Sequence, residues 1–193
     1  MTNVGVILAS VRPVRRGEAF AKWIMALLAA EPDVKAELLD LKAWPIPPFA
    51  EGTGVLDAED SYAPGSLSRR WLEITAAQDA FIIVTCEYNR GYPGQLKNAL
   101  DHVYTPWNRK PVGFVGYGGS ANGLVAVQQL VQVTYELRMA PIRDAVGLGL
   151  HGLAVDADGF PTSPLHVKRA HTMIHELLWW SGALKAPRAA RPA

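Results

Sequence analysis

Cysteine is almost missing from this chain: Cys86 is the only one in 193 residues. That excludes an intrachain disulfide and a cysteine-rich zinc site. An excess of one charge is missing as well. Lys and Arg number 19 and Asp and Glu 18, a formal net charge of +1. No single-sign field exists to hold a nucleic-acid backbone or an anionic membrane, and neither partner is expected. No apolar run approaches the roughly 20 residues that a membrane span needs. The first residues, Met1-Thr2-Asn3-Val4, lead straight into a strand-like run without a charged, apolar leader pattern, which points to the cytoplasm. Disorder of the whole chain is excluded, because 49% of it is apolar or aromatic and only 19% charged. The length suits one domain over residues 1–186, with a Pro/Ala/Arg-rich tail at 187–193 expected to be flexible.

What is present is an alternation of apolar runs and helical periods. Residues 4–9 (VGVILA), 80–86 (AFIIVTC) and 111–117 (PVGFVGY) are continuously apolar, as strands buried on both faces must be. Residues 34–41 alternate more and carry Lys35 and Glu37, which suits a strand nearer an edge; a fifth strand fits 142–150. Helical periods cover 18–30, 66–78, 94–104, 121–138 and about 164–183. Residues 43–65 are rich in Pro and Gly and show no period, so a lid or binding loop is expected there. The order predicts an α/β, doubly wound, flavodoxin-like three-layer sandwich: a five-stranded parallel sheet in the order 2-1-3-4-5. In that order the first and third strands are neighbours, and ligands bind beyond their carboxyl ends.

Three turns lie there. The first, Ser10-Val11-Arg12-Pro13-Val14-Arg15-Arg16-Gly17, enters a helix. A helix start offers unpaired N–H groups and partial positive charge, and Ser10, Arg12, Arg15 and Arg16 add donors shaped for phosphate. Neither a Walker A loop nor the dinucleotide glycine fingerprint is present. The second turn, Cys86-Glu87-Tyr88-Asn89-Arg90-Gly91-Tyr92-Pro93-Gly94, combines a carboxylate, an amide and two phenols. The third, Gly116-Tyr117-Gly118-Gly119-Ser120-Ala121-Asn122-Gly123, lets backbone approach a flat ligand. By composition alone the second turn reads rather as an ordinary Asn/Gly/Pro turn, and the third is a common kind of tight turn needing positive φ.

Together these segments resemble the NADPH-dependent FMN reductase family, whose relatives reduce quinones, azo dyes and chromate. The resemblance runs from about residue 4 to 183. Its most specific piece is Glu87-Tyr88-Asn89 followed by Pro93-Gly94-x-Leu96-Lys97-Asn98-Ala99-Leu100-Asp101. The resemblance implies that Ser10, Arg12 and Arg15, with Arg16 a further candidate, hold the FMN phosphate. It implies that Cys86, Glu87, Tyr88 and Asn89 line the ribityl chain and pyrimidine edge, and that Gly116, Tyr117, Gly118 and Gly119 border the ring. It also implies hydride transfer from NADPH or NADH to bound FMN, delivery to a small acceptor such as a quinone, and a homodimer or homotetramer with the helix over 97–104 in the interface. No catalytic acid or base and no metal is implied. Three positions depart from the pattern: Ala9 and Asn122 stand where glycine is usual, and Cys86 where proline is usual. The other readings are a flavodoxin-type electron carrier, which a near-neutral charge disfavours, and a flavin or nucleotide sensor without turnover.

Other residues read more plainly. Arg90 is a solvated cation or a contact to the donor nucleotide. Lys97 and Asp101 make an exposed i,i+4 pair. Trp44 and Phe49 roof the pocket or pack their own loop, Trp107 is core or interface, and Trp179-Trp180 pack the last helix on the sheet or on a partner. His171 and His175 stand four apart with Glu176 adjacent, but the sequence places no third ligand beside them.

Overall fold

The three fully apolar runs form the centre of the sheet. In a computed structural model describing residues 1–50 and 54–190, the strands are β1 (Thr2–Leu8), β2 (Val34–Asp40), β3 (Ala80–Cys86), β4 (Pro111–Gly118) and β5 (Ala140–Gly149). They pair in the order β2-β1-β3-β4-β5, every pair parallel, as the alternation predicts. Every residue of β3 and β4 is buried, whereas β2 at the edge alternates. The helices are α1 (Gly17–Ala29), α2 (Val55–Ser61), α3 (Leu67–Ala76), α4 (Gly94–Asp101), α5 (Leu124–Glu136) and α6 (Pro164–Ala190).

Side chains alternate across the sheet and divide the core in two. Val4, Val6, Leu8, Ile82, Val84, Cys86, Val115 and Tyr117 face α1 and α6, where Phe20, Ile24, Met173 and Leu177 cover them. Ile7, Ala9, Phe81, Ile83 and Phe114 face the layer that holds α2 to α5, filled by Trp71, Leu96, Trp107 and Leu130. Trp71 and Trp107 are fully buried, and their indole N–H groups donate to Ala99 O at 2.8 Å and Leu100 O at 3.1 Å. Their apolar burial is therefore gained without an orphaned donor. Trp107 thus belongs to the core.

The larger departures from the sequence reading are three. The excursion over 43–65 is not all loop: α2 lies within it, with Ala58 and Glu59 buried. The helix expected over 94–104 stops at Asp101, and a 3₁₀ turn, Thr105–Trp107, follows. The helix expected to end near 183 continues through Pro187 to Ala190, so the first part of the supposed flexible tail is helical; 191–193 lie outside the described residues. Arg188 in that extension donates to Asp79 Oδ1 at 3.0 Å and to Arg109 O at 3.1 Å, which ties the turn to the sheet. No described helix is long and apolar enough to cross a membrane.

Candidate active site beyond β1, β3 and β4

Parallel pairing of β1 with β3 and of β3 with β4 brings three turns side by side. They enclose a cavity of about 510 Å³. Ser10, Arg12, Arg15 and Arg16 line it from the first turn, Cys86, Glu87 and Tyr88 from the second, and Tyr117, Gly118 and Gly119 from the third. Two residues singled out in the sequence stay away from its wall. Gly116 faces the α5 entry, where an added Cβ would collide with the Gly123 carbonyl, so its smallness serves strand-to-turn packing. Asn89 sits at φ +49 in a tight turn. Val14 and Leu150 also line the cavity and were not anticipated. Val14 lies within the first turn itself, a plain aliphatic residue between the arginines, and Leu150 follows β5, an element that no sequence signal assigns to the cavity.

The first turn is built around Arg15. Its guanidinium donates to Asp40 Oδ1 at 2.7 Å, to Asp40 Oδ2 and to the Ser10 carbonyl. Only 5% of the side chain is exposed. Hydrogen bonding to Asp40 raises the Arg15 pKa further. Burial opposes ionisation of Asp40, but hydrogen bonds from Arg15 and from Lys42 N–H outweigh it and hold the carboxyl below its usual range. Arg15 is therefore committed to the β2 terminus and to the loop backbone, unlike the exposed Arg12 and Arg16, which pair with no carboxylate among the described residues. Ala9 causes no strain, because its φ is not positive.

Hydroxyl groups converge under this loop. Ser10 Oγ lies 3.3 Å from Tyr88 Oη. The Tyr117 hydroxyl is buried beside the Cys86 thiol and the Ser10 hydroxyl and makes no well-formed hydrogen bond to any described residue. Burial, with the Cys86 thiol beside it, drives its pKa far above the ordinary phenol range, so it is a neutral donor. Burial also raises the Tyr88 pKa. Gly17, the first residue of α1, passes directly over the Tyr117 ring; a Cβ there would collide with Tyr117 Oη. The α1 N-cap, Arg16, makes no side-chain cap, and the N–H groups of Gly17 and Glu18 meet no acceptor among the described residues. The cradle thus holds an uncapped helix start and an orphaned buried hydroxyl, the polar surface an anion satisfies.

The second and third turns hold each other in place. Glu87 N–H donates to Tyr117 O at 2.9 Å, and Glu87 Oε2 accepts the Val125 N–H of the first turn of α5 at 3.2 Å. The Glu87 carboxylate therefore sets the α5 entry. Asn122 has φ +54, the reason glycine is at ease there, and Asn is among the residues that tolerate it. Asn89 and Arg90 (φ +49 and +70) form the middle of a turn closed by paired Tyr88 and Gly91 hydrogen bonds of 2.8 and 2.9 Å. The Arg90 side chain is 65% exposed, with Glu87 4.0 Å away.

A second cavity, of about 630 Å³, flanks Val11 on the other side of the first turn. Trp44, Ile46, Pro48, Gln95 and Asn98 wall it. Asn98 pins the 46–49 segment: its Oδ1 accepts Phe49 N–H at 2.8 Å and its Nδ2 donates to Pro47 O at 2.9 Å. Trp44 walls this cavity rather than roofing the first, and stacks edge-on to Trp71 at 5.6 Å; Phe49 packs on His102 at 5.3 Å. Lys97 and Asp101 form the expected half-exposed pair at 2.6 Å. Trp179 and Trp180 are 63% and 37% exposed, turned away from the sheet.

Comparison with known proteins places the chain in a family and a fold. An NAD(P)H-dependent FMN reductase of Schizosaccharomyces pombe is 37% identical over 144 residues, covering 74% of this chain and 72% of the relative. The Saccharomyces cerevisiae NAD(P)H-dependent FMN reductase LOT6 is 31% identical over 174 residues, covering 85% and 90%. A 2-hydroxy-1,4-benzoquinone reductase of Burkholderia is 30% identical over 133 residues, covering 65% and 66%. The solved structure of FerB, an NAD(P)H:(acceptor) oxidoreductase of Paracoccus denitrificans, superposes with a TM-score of 0.77 at 23% identity over 95% of this chain and 99% of that one, which shows the shared fold. The sequence pattern described as NADPH-dependent FMN reductase matches residues 2–151, and the chain belongs to that family.

Proposed function

We propose that this chain is an FMN-dependent oxidoreductase that takes hydride from NADPH or NADH and delivers electrons to a small organic acceptor of the quinone class. One observation carries the reading: an uncapped helix start and the orphaned Tyr117 hydroxyl meet in a cavity floored by Gly118 and Gly119. The names of the relatives, FMN reductases, a benzoquinone reductase and azoreductases, support the same chemistry.

The residues fit FMN in distinct ways. Gly17 and Glu18 N–H, Ser10 Oγ and Tyr117 Oη supply neutral donors for the phosphate, and Arg12 and Arg16 supply charge. Arg15 acts one step back, as a positioning residue that fixes the Ser10 carbonyl and hence the loop. Tyr88 holds the Ser10 hydroxyl from across the cavity. Gly118 and Gly119 offer a flat backbone ledge for the ring, and Glu87 holds that ledge against α5. Bound there, FMN supplies a two-electron relay between the nicotinamide and the acceptor. The protein contributes orientation and exclusion of water, and no side chain of the cavity needs to act as nucleophile.

The test is direct. Freshly purified protein reconstituted with FMN should show oxidised-flavin absorption that NADPH bleaches under anaerobic conditions and a quinone restores. Loaded protein that never oxidises NADPH or NADH overturns the reading in favour of a binding protein.

A further inference from the structure

The sequence leaves His171 and His175 without a third ligand; the fold supplies one. Glu31 follows the last turn of α1 and lies against α6, where its carboxylate meets both imidazoles. One ligand atom from each of Glu31, His171 and His175 lies within 4.8 Å of the others. His175 Nε2 is already 3.2 Å from Glu31 Oε1. Two ligands bound tetrahedrally to zinc at about 2.0–2.1 Å lie roughly 3.3 Å apart. One pair is therefore at ligand spacing, and small side-chain rotations bring in the third. We propose that Glu31, His171 and His175 form a divalent transition-metal site of the zinc class that cross-links the end of α1 to α6.

Five features favour a cation here. The two histidines stand one turn apart on α6, so their rings project from the same face, with centroids 6.1 Å apart. The backbone of Glu31 is fixed, since its N–H donates to Leu28 O at 3.1 Å and Pro32 follows. Glu31 also sits where the free carbonyls of α1 give a partial negative charge. Two imidazoles and one carboxylate are the donor set that suits Zn²⁺, Ni²⁺ or Cu²⁺ over Mg²⁺ or Ca²⁺, and three protein ligands leave a position for water. The exposure of His175, 64% of its side chain, gives the ion a path in. The site lies at the opposite end of α1 from the cofactor cradle, about 20 Å away for a helix of this length. Metal binding is therefore independent of the flavin reading and does not compete with it.

The test uses the FMN-loaded full chain, stripped with chelator and titrated with Zn²⁺ by calorimetry in a non-coordinating buffer. One equivalent should bind with micromolar affinity and raise the thermal midpoint. Glu31→Gln, His171→Ala and His175→Ala should each weaken binding about tenfold or more and shrink the midpoint rise at a fixed Zn²⁺ concentration, while the metal-free midpoint stays at the wild-type value. Co²⁺ should give visible d–d bands without thiolate charge transfer, which excludes Cys86 as the ligand. Any of three results overturns the proposal: binding unchanged in the His171→Ala/His175→Ala double variant, no binding below millimolar Zn²⁺, or half an equivalent per chain, which places the ion between two copies.

Discussion

Asp40, the last residue of β2, holds Arg15 of the first turn by both terminal nitrogens of the guanidinium. The turn is thereby fastened to the neighbouring strand before any ligand arrives. Asp40→Asn keeps the shape and removes the charge, leaving the nearly buried guanidinium only the more exposed Glu18 carboxylate, 3.8 Å away. The expected loss is about 2–3 kcal/mol of stability, together with weaker FMN binding through a displaced Ser10. The acid side gives the sign. The folded pKa of Asp40 is lowered, so between it and the unfolded value of about 4 the unfolded chain binds more protons. Its stabilisation is present above that window and is lost as pH falls through it. Urea unfolding at pH 6 and pH 3 should show a steeper fall for the wild type than for Asp40→Asn.

Arg12 carries the opposite expectation. It is exposed and pairs with no described carboxylate. Arg12→Ala should leave stability within about 0.5 kcal/mol and weaken FMN by roughly 1–3 kcal/mol, the range for a charge-assisted contact. Flavin fluorescence titration reads the affinity, and an unchanged value removes Arg12 from the phosphate site.

Tyr117→Phe separates the cofactor from the fold more sharply. The hydroxyl is buried without a well-formed hydrogen bond to any described residue, so deleting it relieves a poorly satisfied, desolvated group. The cofactor-free variant should be as stable as the wild type or slightly more so. FMN affinity should nevertheless fall about tenfold, because the hydroxyl gains a well-formed hydrogen bond only from the ligand. Lower cofactor-free stability with unchanged FMN affinity would assign Tyr117 to packing alone.

These contrasts show where sequence reading reaches and where it stops. The sheet order was readable because β1, β3 and β4 are apolar on both faces and β2 is not, a local signal that burial imposes on each strand. The cavity wall was readable because turns that follow neighbouring parallel strands must meet. The role of Arg15 was not. Three arginines within five residues look alike until β2 brings Asp40 to one of them, 25 residues away in the chain. The same holds for Glu31 and His175, which are 144 residues apart. Helix α2 hid inside a Pro/Gly-rich stretch because it is short and its capping residue, Gly54, makes no side-chain cap.

Arg90 tests backbone strain beside the cavity. With Asn89 it occupies the two central positions of a turn that need positive φ. Asn tolerates that conformation, and a long side chain does so at a cost. Arg90→Gly should raise stability by up to about 1 kcal/mol, reduced by the greater freedom of glycine in the unfolded chain. The Arg90 side chain is mostly exposed and only loosely paired with Glu87, so steady-state turnover should change less than twofold. A large rise in KM for NADPH would show that Arg90 meets the donor nucleotide.

Lys110 places a titration inside the core layer. Its ammonium donates to Thr75 O and Ala76 O, both at 3.0 Å, and lies 5.7 Å from the Phe81 ring centre. Burial lowers its pKa to about 7; Arg188 pushes the same way and Asp79 opposes both. The unfolded value stays near 10.5. Between the two, the unfolded chain holds a proton that the folded chain has released, so stability rises with pH. Below about pH 7 both states are charged, and the full cost of burying the ammonium remains. The contribution to the slope approaches 1.4 kcal/mol per pH unit as an upper bound, since one proton is exchanged. Lys110→Met fills the same space without a charge and should remove that slope. Denaturant unfolding of both proteins at pH 7 and pH 9 measures the difference. A wild-type curve no steeper than that of Lys110→Met would mean that the two carbonyls keep Lys110 protonated across the whole range.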